Sequence, residues 1–241
     1  MDRMIYLSMT GAKASLQRQD VLANNLANVS TAGFRAELAG FRAVPVRGDG
    51  ASTRVYALET TTGYNPEPGP VQATGNNLDV AMRGNAWLAV QGLDGTEAYT
   101  RAGSLDVNTE GLLSTKAGLT VLGDGGPITV PANSVVVIGS DGTVSAKTGN
   151  GRTSAIGRLK LVTPEAPLTR GADGLFRAAD GDLPADATAR VQDGALEGSN
   201  VSPVETMVAM ISAARQFEHQ MKLLQTAQGN EQAAAKLLSN N

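Results

Sequence analysis

The chain has 241 residues, 20 basic and 23 acidic side chains, one histidine and no cysteine. That inventory excludes a disulfide framework and thiol chemistry and leaves soft-metal sites without ligands. A net charge of −3 gives no footprint for nucleic acid, and no apolar run approaches the ~18 residues of a membrane span. Aromatic residues are only 4 %, so the core must be mostly Val, Leu, Ile and Ala.

The spacing predicts a first helix over residues 2–28. Its apolar residues are Ile5, Met9, Ala12, Leu16, Ala23 and Leu26. The steps alternate four and three when Gln19 is counted as the one polar member. This is a heptad seam, narrower than the face of a helix lying on a globular core. At ~1.5 Å per residue the helix is roughly 40 Å long. Asn24, Asn25 and Asn28 crowd its last turn. They read as helix-end and turn chemistry, or as amides bonding across a helix–helix contact, and the two readings are compatible. Gly33 suits the exit, where a positive φ would strain other residues. The short apolar run at residues 4–7 makes a poor signal peptide.

Glycine and proline then mark a different kind of chain. Of 28 glycines, 25 lie between Ala36 and Asn200, with nine of the ten prolines. Each Gly costs a helix interior ~1 kcal/mol and each Pro ~3 kcal/mol, so the body is not helical. Residues 34–46 carry spaced apolar side chains and end at the Gly48-Asp49-Gly50 break. Residues 54–58 read as a strand, and the three prolines of residues 64–70 make an extended connector. Short strands follow at 87–91, 97–101, 105–107, 112–114, 119–122, 128–130, 135–138, 143–146 and 159–162. Asp-Gly recurs at 49, 94, 124, 141, 173, 180 and 193, and this dipeptide suits hairpin turns with positive φ. The body is expected to be all-β and antiparallel, an irregular barrel or sandwich.

Ser202-Pro203-Val204-Glu205 opens a last helix with an N-cap, a first-turn proline and a capping box. Met207, Met210, Ala214, Phe217, Met221 and Leu224 step three, four, three, four, three. This second seam is expected to pair with the first, as a coiled coil. Gly229-Asn230 weakens the helix towards residue 238, with fraying expected after Gln228. The fold class is therefore α+β, with an assembly helix and exit loop at 1–35, a β-rich domain at 36–197 and a second assembly helix at 198–241.

Catalytic chemistry finds little footing. His219 stands beside Phe217 but off the seam, which suits a solvated helix face better than a base. Asp173, Asp180, Asp182 and Asp186 sit in a Gly- and Pro-rich loop where Asp is common, without an EF-hand's closing Glu and central Gly. Gly123-Asp124-Gly125-Gly126 lacks the Lys and the helix of a phosphate loop. No catalytic residue, cofactor or metal site is expected. A helical-assembly protein explains the terminal seams. A secreted β-rich glycan binder explains only the body, and a carboxylate-dependent hydrolase explains neither.

Ala23-Asn24-Asn25-Leu26-Ala27-Asn28-Val29-Ser30-Thr31-Ala32-Gly33-Phe34-Arg35 resembles the N-terminal signature of bacterial flagellar rod and hook proteins. Leu196-Glu197-Gly198-Ser199-Asn200-Val201-Ser202, before a long helix, resembles their C-terminal signature. Leu78-Asp79-Val80-Ala81, Gly84-Asn85-Ala86-Trp87 and Ala98-Tyr99-Thr100-Arg101-Ala102-Gly103-Ser104 match in the middle and in the right order. Position 32 is Ala where the family often has a polar residue or Pro, a mild departure. The opening Met1-Asp2-Arg3-Met4-Ile5-Tyr6 is most similar to proximal-rod members, with distal-rod members the runner-up. The chain is short for a hook protein, which carries a further outer β domain.

The resemblance implies a structural subunit of the rod that crosses the periplasm as a driveshaft for motility. It implies export unfolded through the flagellar type III apparatus, without a cleaved signal. It implies assembly through the terminal helices, with copies of itself and other rod proteins as partners. The expected interface comprises both seams together with Asn24, Asn25 and Asn28.

Overall fold

The computed structural model describes residues 2–45, 55–149 and 151–239. The expected break at Gly48-Asp49-Gly50 and the first residue of the strand expected at 54–58 lie outside them. The chain divides into two compact units. One comprises Met1–Val29, Ala36–Asn65 and Val201–Asn241; the other comprises Ser30–Arg35 and Pro66–Asn200.

The first unit holds the two long helices, α1 (Asp2–Ala27) and α2 (Pro203–Ser239). It also holds an antiparallel ribbon of β1 (Glu37–Pro45) and β2 (Val55–Tyr64), with Glu37 opposite Tyr64 and Pro45 opposite Val55. α1 packs against α2 and against both strands. The β-rich domain expected over 36–197 thus differs from this division, because residues 36–65 cluster with the helices. The physical reason is that a two-stranded ribbon is marginal in water and needs another surface to lie on. Pro203 is the first residue of α2, as its spacing predicts, and the Ser202 carbonyl accepts from the Thr206 N–H at 3.0 Å. α2 runs through Gly229-Asn230 without a break. One glycine costs ~1 kcal/mol, which the surrounding Ala, Gln, Glu and Lys residues outweigh.

The second unit is a set of short antiparallel sheets. The largest has five strands in the order Leu161–Val162, Trp87–Gln91, Glu97–Thr100, Phe176–Arg177 and Thr169–Arg170. A three-stranded sheet joins Ser134–Ile138, Thr143–Thr148 and Thr153–Arg158 in chain order. Near its end the chain pairs back on its beginning: Val191–Asp193 on Val80–Met82, and Ala195–Glu197 on Val71–Ala73. The core is aliphatic, as the composition requires, with Val80, Leu88, Val90, Leu113, Val121 and Val144 fully enclosed. Residues 128–130, expected as a strand, make a single bridge at Thr129.

Three of the Asp-Gly turns share one construction. In Gly92-Leu93-Asp94-Gly95, Gly139-Ser140-Asp141-Gly142 and Gly171-Ala172-Asp173-Gly174, the last glycine has φ of 80°, 83° and 79°. Each last glycine donates its N–H to the carbonyl of the first. The Asp carboxylate accepts from the backbone N–H two residues on, at 3.0–3.1 Å. The positive φ favours glycine, and the Asp side chain supplies the extra bond of an Asx turn.

Candidate assembly site

Several of the residues buried on the two helices are small. On α1, Ser8, Ala12, Ala14, Ser15 and Asn25 are buried, and along one line Ser8, Ala12 and Ser15 continue with the half-buried Ile5, Gln19, Leu22 and Leu26. On α2, Thr206, Ala213 and Ala227 are buried, and Met210, Phe217, Gln220 and Leu224 are half-buried. Both lines step by alternate threes and fours. They share Ile5, Ala12, Gln19, Leu26, Met210, Phe217 and Leu224 with the seams read from sequence. At every other position the buried line is displaced by one residue. Ser8, Ser15 and Leu22 stand in for Met9, Leu16 and Ala23; Thr206, Ala213 and Gln220 stand in for Met207, Ala214 and Met221. Small side chains let two helix backbones approach closely. Gly11 marks the approach, since a Cβ there would lie 2.9 Å from Gln220 Cδ.

The displacement leaves large apolar side chains facing outward. Met9 is 59 % exposed, Leu16 45 %, Met207 50 % and Met221 37 %. Tyr6, Val208, Ile211 and Leu223 are exposed as well, while Ala23 is exposed and Ala214 half-buried. Apolar side chains recurring along one helix mark a contact surface more often than a solvated face does.

Two of the three asparagines hold the end of α1 to the ribbon. Asn25 is buried; its Nδ2 donates to the Glu37 carbonyl at 2.9 Å and its Oδ1 accepts from the Glu37 N–H at 2.8 Å. Asn24 Nδ2 donates to the Glu37 carboxylate at 3.3 Å. Asn28 Nδ2 donates to the Asn24 carbonyl at 2.9 Å, which is helix-end chemistry. The bonds made by Asn24 and Asn25 thus reach a strand, not a second helix.

In the second unit, three charged side chains form a buried cluster where the chain enters and leaves. Glu197, Arg101 and Arg35 are 1 %, 2 % and 3 % exposed. Glu197 Oε1 accepts from Arg35 Nη1 and from the Gly69 N–H at 3.0 Å. Glu197 Oε2 accepts from Arg101 Nη2 and from Arg101 Nε at 2.8 Å. Arg101 also donates to the carbonyls of Met82, Gly84 and Ala86, and its guanidinium lies 5.9 Å from the Trp87 ring centroid. Burial pulls the Arg101 pKa down, and the Glu197 carboxylate opposes that pull. Gly33 completes the junction. Its N–H donates to the Glu197 carbonyl at 2.8 Å, its φ is 70°, and a Cβ there would lie 2.1 Å from the Arg101 carbonyl carbon. The sequence reading passed over Arg35, Arg101 and Glu197 as parts of longer signatures. The available signal was a single charge in each otherwise uncharged stretch.

His219 is exposed on α2. Among the described residues no group of three or more His, Asp or Glu side chains could hold a metal ion, and no helix is long and apolar enough to cross a membrane.

Three family profiles match the chain. "Flagella basal body rod protein" covers residues 5–35, "Flagellar hook protein FlgE/F/G D1 domain" covers 81–146, and "Flagellar basal body rod FlgEFG protein C-terminal" covers 192–237. The chain is 45 % identical to the flagellar basal-body rod protein FlgF of Salmonella typhimurium and 44 % identical to that of Escherichia coli, over 99 % of each chain. It is 31 % identical to the rod protein FlgG of Bacillus subtilis, over 93 % of this chain and 95 % of that one. The chain belongs to the flagellar basal-body rod protein family. As a member it is a structural protein and not an enzyme. Each of the three matched segments contributes one member of the buried cluster: Arg35, Arg101 and Glu197.

Proposed function

We propose that the chain is a subunit of the proximal rod. It is built into the periplasm-spanning driveshaft through the outward apolar residues of its terminal helices. The observation that carries this reading is the pair of lines left uncovered on α1 and α2, with Met9, Leu16, Met207 and Met221 exposed. Large side chains at heptad spacing on an already paired helix suit further helices, as in a multi-helix coiled coil. The partners are copies of the chain and other rod proteins. The helix pair is read as a coiled coil and the strand unit as an irregular barrel or sandwich.

The 45 % and 44 % identity to the FlgF proteins of Salmonella typhimurium and Escherichia coli, against 31 % to the FlgG relative, supports the proximal over the distal position. The chain reaches the periplasm through the flagellar type III apparatus. Complementation of a strain lacking this protein tests the reading, with export and rod completion scored separately. Restored rods carrying the protein at their base support it; swimming restored with the protein absent from purified basal bodies overturns it.

A further inference from the structure

We propose that Glu197 is a charge latch: the strand unit folds only once this carboxylate arrives between Arg35 and Arg101. Two guanidiniums are buried in this unit, and among the described residues Glu197 is the only carboxylate bonded to either. Both of its oxygens are fully used, each accepting two hydrogen bonds. Arg35 depends on it more than Arg101 does. Arg101 has three backbone carbonyls as further acceptors, whereas the buried Arg35 Nε has no partner. A buried charge left alone is far costlier than the same site left apolar.

The position of the carboxylate in the chain makes it a latch. It lies 162 residues after Arg35 and 96 after Arg101. A chain is synthesised from its N-terminus, so both arginines are present long before their counter-charge. The strands that close the unit, Val191–Asp193 and Ala195–Glu197, arrive with it. Until then, compaction around residues 80–101 would enclose one or two unpaired cations, and the unit stays open. An unfolded precursor suits the proposed export. That use rests on the proposed function, while the latch is read on the purified full chain, so the two fail separately.

Trp87 is the single tryptophan, is 2 % exposed and lies beside Arg101, so its fluorescence reports this unit. The test compares urea folding and refolding kinetics of the full chain, of Glu197→Gln, and of Arg35→Met/Arg101→Met/Glu197→Met. Glu197→Gln is expected to lower the folding equilibrium by about 10²-fold or more. Most of that loss should appear as slower refolding and the smaller part as faster unfolding. The triple variant, which removes the buried charges together, is expected to recover most of the refolding rate. A Glu197→Gln chain within threefold of the parent overturns the latch. So does a loss confined to the unfolding rate, which marks an ordinary late contact. Equal failure of Glu197→Gln and the triple variant also overturns it, since shape and not charge would then be decisive.

Discussion

Asn25 closes a ring with Glu37, its carboxamide donating to one backbone group and accepting from the other at 2.9 and 2.8 Å. The side chain copies a strand edge, so β1 begins against the flank of α1 as if against another strand. A buried polar group left unsatisfied costs ~1–3 kcal/mol. Asn25→Ala is therefore expected to speed amide exchange at Glu37 by about tenfold or more, since each ~1.4 kcal/mol is a factor of ten. Asn25→Asp should be worse, because it sets a carboxylate oxygen against the Glu37 carbonyl. Unchanged exchange at Glu37 in both variants would show that the ribbon is held by other contacts.

Gly33→Ala tests the junction. The site combines φ of 70° with a Cβ position 2.1 Å from the Arg101 carbonyl carbon. A backbone clash cannot be relieved by turning a side chain. About 1 kcal/mol moves the melting temperature of a chain this size by ~2–4 °C. The melt followed through Trp87 is expected to fall by at least ~5 °C, and a shift within a degree would contradict the geometry.

An acid limb is expected from Asp186. The hydroxyls of Thr188 and Thr163 donate to its carboxylate and hold its pKa down at about 2, below the ordinary carboxylate range. A carboxyl depressed in the folded chain adds stability above its unfolded pKa and loses it as pH falls through the folded value. The window is therefore from pH ~4 down to ~2. In Asp186→Asn, urea midpoints measured across that window should fall less steeply than in the parent. Identical acid limbs would show that Asp186 is not a contributor.

The partition into helical ends and a β body was legible because Gly and Pro mark it so strongly. The hairpins at Asp94-Gly95 and Asp141-Gly142 were legible too, since each turn lies between two expected strands, whereas the hairpin at Asp173-Gly174 falls where no strand was expected. Less legible were strands with no alternation, such as Val80–Met82, which is buried throughout. On each helix the buried line lies one residue away from the apolar seam at every other position. Periodicity favours the largest apolar residues, Met9, Leu16, Met207 and Met221. Two closely packed helices instead favour the small ones beside them, Ser8, Ser15 and Ala213, because backbone approach is limited by side-chain size. Asn25 and the Arg35–Glu197–Arg101 cluster depend on partners distant in sequence, which no local pattern displays.

Ala213→Leu tests the close approach itself. Ala213 is 2 % exposed, and overpacking such a site costs ~1–3 kcal/mol. Helical signal from the purified chain should melt earlier, while the Trp87 transition stays where it was. Loss of both transitions together would show that the two units unfold as one.

The central claim is that the residues turned away from the helix contact are those that join the rod. Leu16→Asp and Met207→Asp place charges at positions 45 % and 50 % exposed, where substitutions usually change stability by no more than ~0.5 kcal/mol. The most direct measurement is rod completion in a complemented strain lacking this protein, with secreted subunit and the subunit's own melt recorded alongside. The account predicts normal export, an unchanged melt and no completed rods for either variant. Complete rods and full swimming from both would contradict it, and would assign the joining surface to the strand unit.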